Sequence, residues 1–282
     1  MFDCSIENEY GELLSLTNNP KYTVYQIDGL EPPTATINTS IVANFDGSRF
    51  NSARAGERNI VIYLAVEHEC EKNRIELYKY VRAKRPITFY YKNDSRDVYI
   101  DGYVENMQIG FFEKKQLVQI SIICPYPYFK SAQNTIIDFS TTVPLFVFPF
   151  AYEAAGDAFS ELELGAMQSV INDGDIENGV IITIKATGRA LNPQIYNNSA
   201  NEYFKLNVDM FEGDEIVINT IPGQKGVTLT HEGTTTNIIN DMVIGSKWFK
   251  LLTGDNLFSY DADEYPENLS CQVTHVNEFE GV

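Results

Sequence analysis

Three histidines, four cysteines and 39 acidic residues are the groups here with chemistry to offer, and spacing decides whether they offer it. His68, Glu69 and Cys70 are consecutive. They would ligate a metal only if the backbone aimed all three at one point, and adjacent residues on a helix point in different directions. His231 and His275 lie far from them in sequence. Cys4, Cys70, Cys124 and Cys271 form no CxxC pair and no cluster. They read as small buried hydrophobes rather than a disulfide framework or a zinc site. Asn172-Asp173-Gly174-Asp175 and Asp261-Ala262-Asp263-Glu264 offer oxygen donors of the kind calcium takes. The first lacks a full calcium loop, and turn-building Asx side chains account for both. Glycoside hydrolysis needs two carboxylates facing each other across a cleft; a solvated acidic surface explains the many acids without one. No GxSxG elbow, Walker-type loop or GxGxxG turn is present. Trp248 would stack on a sugar if exposed, but Lys247-Trp248-Phe249-Lys250-Leu251-Leu252 alternates like a strand and puts it in a core. The expectation is a non-enzyme with no catalytic, cofactor-binding or metal-ligating residue and no cofactor.

The elements behind these residues are mostly strands. Ile60 to Val66 is an unbroken β-branched and aromatic run, read as a strand buried on both faces. Residues 67–84 begin with Glu67, Glu69 and Glu71 and end with Lys79, Arg82 and Lys84, which suits a helix dipole. Arg74, Leu77, Tyr78 and Val81 fall at helical spacing, and Pro86 closes the segment. Strands resume at Ile87–Tyr91. Val98–Ile100 and Tyr103-Val104 flank Asp101-Gly102, read as a bulge. In Leu117–Cys124, Val118, Ile120, Ile122 and Cys124 share a face. Lys114-Lys115 marks a hairpin turn, and Asp46-Gly47-Ser48 another. From residue 170 onward short strands alternate with turns: Val180, Ile182 and Ile184 share a face, as do Phe204, Leu206 and Val208, and Ile216, Ile218 and Thr220. Further strands are read at 227–230, 248–252, 257–260 and 269–276. The pattern predicts an antiparallel sandwich or jelly roll.

At 282 residues the chain suits two domains, each large enough to hold a core without disulfides or metals. The formal charge is −18. Residues 1–130 hold 15 basic and 17 acidic residues; residues 131–282 hold 6 and 22. So uneven a split marks two units with different surroundings. It argues against nucleic acid or an anionic membrane as partner of the second half. The acidic start, Met1 to Glu7, has no signal-peptide pattern, and the most apolar stretch, residues 143–152, is too short and too proline-broken to span a bilayer. A protein made in the cytoplasm is expected. Arg82, Lys84 and Arg85 form a small basic patch, read as a solvated face or a contact to acids of a neighbouring copy.

Several segments, taken in order, resemble the siphophage distal tail protein family. They are Asp28-Gly29-Leu30 with Pro32-Pro33, Asp46-Gly47, Arg58-Asn59-Ile60, the helix with Arg74, Tyr99-Ile100-Asp101-Gly102-Tyr103-Val104, and Cys124-Pro125-Tyr126-Pro127-Tyr128-Phe129. In the second half they are Asn172-Asp173-Gly174-Asp175, Asn192-Pro193, Gly213-Asp214-Glu215-Ile216, and Trp248-Phe249-Lys250-Leu251 with Gly254-Asp255-Asn256. The resemblance implies a mainly β protein of two β-sandwiches, the first with one α-helix, the second galectin-like. Residues 1–130 would form the ring-forming domain with the helix at 67–84. Residues 131–165 would form a linker and first strand, and 166–282 the second sandwich. It further implies a structural virion protein at the phage tail tip, assembled in the bacterial host cytoplasm as a homo-oligomeric, hexameric ring. Its partners would be the tail tube protein and tail-associated or receptor-binding proteins, with no membrane and no sequence-specific nucleic acid. The alternatives are a host-glycan adhesin acting through the second sandwich and a tail-associated hydrolase. The near-neutral half is expected to self-associate, so that residues 1–130 alone would form rings and residues 166–282 alone would stay monomeric.

Overall fold

The computed structural model describes residues 2–43, 46–111, 116–139, 142–144, 160–162 and 167–282, with backbone alone at 142–144 and 160–162. The chain divides into two compact units: unit 1 is Met1–Ala132 with Glu278–Val282, and unit 2 is Gln133–Asn277. Unit 2 is therefore an insertion within unit 1. Residues 1–130 fall short of the whole first unit, because Glu278–Val282 return to it. Most of the segment expected as a linker, 131–165, and the expected turn at Lys114-Lys115 lie outside the described residues.

Unit 1 contains β1 (Asp3–Asn8), β2 (Leu13–Ser15), β3 (Tyr22–Asp28), β4 (Ala35–Ile41), β5 (Ser48–Ala55), β6 (Arg58–Val66), α1 (Cys70–Tyr80), β7 (Pro86–Lys92), β8 (Asp97–Ile109), β9 (Gln116–Cys124) and β10 (Phe129–Ser131). Apart from the β4–β5 hairpin, the strands make one sheet in the order β2-β1-β7-β8-β9-β6-β3, with β10 paired to the start of β8. The long β8 is its corner. Asp97–Tyr103 pairs with β7 and Tyr103–Ile109 with β9. The register slips between Val104 and Asn106. Inward alternation accordingly shifts from Val98, Ile100 and Val104 to Met107 and Ile109. A bulge that bends a strand lets it serve two layers of a sandwich. The bulge is thus at Glu105 rather than at Asp101-Gly102, which pair regularly with Thr88 and Ile87. Gly102 is small for a different reason. A Cβ there would lie 2.6 Å from Ile122 Cγ2 and 2.9 Å from Cys124 Sγ.

In β6, Ile60, Ile62 and Leu64 are fully buried, while Val61 and Tyr63 are only half covered. One face, not both, looks into the core. Helix α1 is shorter than 67–84. His68 and Glu69 take φ of 45° and 27°, which turns the chain out of β6 before the helix can start. Val81 ends it at φ −105°, five residues before Pro86, which opens β7. Leu77 and Asn73 are its buried residues, and Asn73 Nδ2 donates to the Glu67 and His68 carbonyls of that turn.

Unit 2 contains β11 (Thr135–Asp138), β12 (Thr142–Pro144), β13 (Ser160–Leu162), β14 (Gln168–Asn172), β15 (Ile181–Ala186), β16 (Ala190–Leu191), β17 (Gln194–Asn197), β18 (Glu202–Lys205), β19 (Asp209–Met210), β20 (Glu215–Asn219), β21 (Gly226–His231), β22 (Thr234–Asn237), β23 (Gly254–Asp261) and β24 (Leu269–His275). Sheets β11-β24-β15-β20-β21-β22 and β14-β23-β17-β18 close over a shared core. Ile182, Ile184, Ile216, Ile218 and Val273 of the first meet Val170, Ile195, Phe204 and Phe258 of the second. The segment 248–252 is not a strand. It holds a single bridge, Leu251 to Asn178, although Phe249 and Leu251 are buried as its alternation requires. The chain then re-enters unit 1 as β25 (Glu278–Phe279), paired with β10.

Candidate assembly surface

Among the described residues, the β4–β5 hairpin is the arm of unit 1 that lies outside its main sheet. Its pairing fixes which residues share a face, because directly opposed residues project to the same side. Ala35 faces Ala55, Ile37 faces Ala53, Thr39 faces Phe50 and Ile41 faces Ser48. That side is apolar. The other carries Thr36 with Arg54, Asn38 with Ser52, and Ser40 with Arg49. A bulge at Asn51 keeps the two sides in phase. In a strand whose one face is buried, such alternation is ordinary. Here neither side is covered: Ile37 is 54%, Phe50 61% and Ile41 89% exposed.

The root of this arm is built with care. Gly56 N donates to Thr34 O at 3.0 Å, closing the base of the hairpin. Next to it, Arg58 is 4% exposed. Its Nη1 donates to Gly29 O at 2.6 Å and Glu31 O at 2.7 Å, its Nε to Pro127 O at 2.6 Å and its Nη2 to Glu280 O at 2.5 Å. The guanidinium lies 4.6 Å from the centre of the Phe129 ring. Burial pulls its pKa below the ordinary arginine value, and nearby Glu31 and Glu280 act in the opposite sense. A planar fork with five donors suits four carbonyls from separate segments, and an ammonium would not.

Residues 173–277 match the family model of the siphovirus-type tail component, C-terminal domain. Over that stretch of unit 2 the chain resembles the siphovirus-type tail component family. Both units together have the fold of the Dit protein of phage SPP1, whose crystal structure is described as a paradigm of the hub adsorption apparatus in phages infecting Gram-positive hosts. The TM-score is 0.71 at 13% identity, over 98% of this chain and 99% of that one. A chain of the phage P2 baseplate in its activated conformation with Ca gives a TM-score of 0.57 at 13% identity, covering 100% of both chains. One from the phage p2 baseplate with Sr gives 0.55 at 12%, over 98% of each. No curated protein matches. The resemblance drawn from the ordered motifs is borne out by the family match and the fold. Three motifs of the first half, Gly29-Leu30, Arg58 and Pro127 to Phe129, prove to be neighbours around one guanidinium.

The other residues singled out in the sequence are engaged within their own units. Cys4, Cys124 and Cys271 are buried, Cys70 is half-buried and all four thiols are free. Burial pushes Cys4 and Cys124 up to about 12, and Cys271 upward as well, so these thiols stay protonated and act as packing. Among the described residues no group of three His, Cys, Asp or Glu side chains is placed to hold a metal ion. Asn172 accepts from Gly174 N at 2.9 Å and donates to Ile176 O at 3.0 Å, a turn held by its own Asx side chain. In the 261–264 segment, Asp263 takes Lys205 Nζ at 2.5 Å and Asn192 Nδ2 at 2.8 Å. Trp248 is half-buried, meeting Phe204 edge to face at 5.1 Å, with Lys225 Nζ 5.7 Å from its ring. Arg85 pairs with Glu9 at 3.4 Å, and Arg82 lies 5.9 Å from the Tyr10 ring. Sequence reading took the turn at Asp46-Gly47 but missed the strands on either side of it.

Proposed function

We propose that this protein is a non-catalytic, ring-forming hub at the distal end of a siphovirus-type tail. Copies of unit 1 close a hexameric ring, one side of which continues the tail tube while the other receives tail-associated or receptor-binding proteins. The protein then resides in the virion, at the tail tip. The observation that carries this reading is the arm: a two-stranded hairpin is marginal in water on its own, and its apolar side finds no cover among the described residues of its own chain. A second copy supplies that cover. A head-to-tail contact of this kind generates a ring when the rotation closes. The near balance of charge in residues 1–130 permits close packing of copies. Trp248, the residue that would stack on a sugar in the glycan-adhesin alternative, already has Phe204 and Lys225 against its ring.

The test is the mass of the full chain in solution, with and without Ile37→Asp and Phe50→Asp together. The full chain is expected to run as an oligomer of several copies, and the double variant as a folded monomer. A full chain that stays monomeric at every accessible concentration removes the ring.

A further inference from the structure

Glu278–Val282 follow the whole of unit 2 in the chain, yet each of the five is fitted into unit 1. Glu278 accepts from Tyr126 Oη at 2.5 Å. Phe279 lies under Arg96, whose guanidinium is 4.3 Å from the ring centre, and it packs against the core with Val282. The carbonyl of Glu280 takes Arg58 Nη2, and that of Gly281 takes Arg96 Nη1. Val282 N donates to Leu30 O at 3.1 Å. Position 281 is tight for a side chain: a Cβ would lie 3.0 Å from Leu30 O and 3.1 Å from Pro32 Cδ, so the loop would have to give way. Leu30 to Pro32 and Arg58 are the two sides of the root from which the β4–β5 arm projects.

We propose that Glu278–Val282 is a latch that fixes the root of the arm, so that unit 1 becomes competent to bind a second copy only once unit 2 has been made and the segment behind it is threaded. Three contacts of the segment end on the arm's root rather than on the sheet: Glu280 on Arg58, Gly281 on Pro32 and Val282 on Leu30. An unthreaded segment leaves the Arg58 fork one acceptor short and the loop 29–33 without its packing partner. The arm then keeps its apolar side but loses its fixed direction, and a surface that must be ordered on binding binds more weakly. Chains interrupted within unit 2 are thereby kept out of the assembly, and residues 1–130 alone, against the expectation from their charge balance, would stay monomeric.

The inference rests on the reading that the arm self-associates, and the experiment separates the two. In the full chain, Gly281→Leu crowds the segment off Leu30 and Pro32; a second form ends at Asn277. Both are compared with the full chain and with Phe50→Asp by mass in solution, thermal unfolding and hydrogen exchange. Gly281→Leu is expected to keep the unfolding transitions of both units, to speed exchange at the Gly56 amide and to weaken self-association by at least about tenfold. The chain ending at Asn277 is expected to be monomeric, and Phe50→Asp to be monomeric with the Val282 amide still protected. Gly281→Leu or the shortened chain associating as tightly as the full chain overturns the latch and leaves the ring reading standing. Loss of the unit 1 transition in Gly281→Leu also overturns it, since the segment would then be core and not latch. A monomeric full chain defeats the ring reading, and the latch with it.

Discussion

Arg58 gathers carbonyls from residues 29, 31, 127 and 280, a set that no other side chain could satisfy at once. Bonds to a charged donor contribute about 1.5–3 kcal/mol each, and breaking a buried charged cluster costs about 3–5 kcal/mol in all. Arg58→Ala is expected to lower the stability of unit 1 by about that amount in urea unfolding, with unit 2 unchanged; Arg58→Lys restores less than half, because one ammonium cannot reach four carbonyls. His231 offers a second residue-scale test. Its Nδ1 sits 2.6 Å from Oδ1 of Asp214, which is 2% exposed and whose Oδ2 also accepts from Phe211 N. The hydrogen bond and the charge of Asp214 raise the His231 pKa above its ordinary value. A raised pKa in the folded state adds stability that is fully present below the unfolded value, about 6.5, and is lost as pH rises through the folded value. The melting temperature of unit 2 in the native chain should therefore fall relative to His231→Gln between about pH 6 and pH 8. A constant difference across that window would mean that the pair does not titrate. Neither role was legible in the sequence: Arg58 stood out only as the entry to a strand, because its partners are backbone carbonyls and carry no side-chain identity.

At the scale of elements, legibility followed how strongly burial writes itself into the sequence. β9 and β15 were read from their alternation because every inward residue is large and apolar: Val118, Ile120 and Ile122 in one, Ile182 and Ile184 in the other. The β4–β5 arm alternates too, but with Thr, Asn and Ser between its few apolars and no core behind it, so only its Asp46-Gly47 turn gave a signal. The opposite error came at 248–252. Phe249 and Leu251 alternate inward as in a strand, yet the backbone makes one bridge, because packing against Phe204 and Phe258, not ladder bonding, holds the segment. The helix was overextended for a related reason. The charge gradient across 67–84 extends past both ends of α1, whereas the positive φ of His68 and Glu69 leaves no mark that a non-glycine residue would betray. At β8 the glycine was read correctly as a constraint, but assigned to a bulge that lies three residues further on.

The whole molecule sets two tendencies against each other: in the proposed ring an apolar arm would favour contact between copies, and a charge of −18 per chain would oppose it. The opposition is uneven, since 22 of the 39 acids but only 6 of the 21 bases lie in residues 131–282. The apolar term is insensitive to moderate salt, whereas repulsion between exposed charges is screened over about 8 Å at physiological ionic strength. Self-association of the full chain is therefore expected to tighten as sodium chloride rises from about 0.05 M to about 0.5 M. Sedimentation at a series of salt concentrations measures it. A contact dominated by Arg49 and Arg54 of the arm's polar side meeting acids of a neighbour would weaken over the same range, because such pairs are screened as well. The sign of the salt dependence thus distinguishes which side of the hairpin carries the interface. Association that loosens with salt would move it from the Ile37, Ile41 and Phe50 side to the arginine side, and would leave Phe50→Asp with little effect.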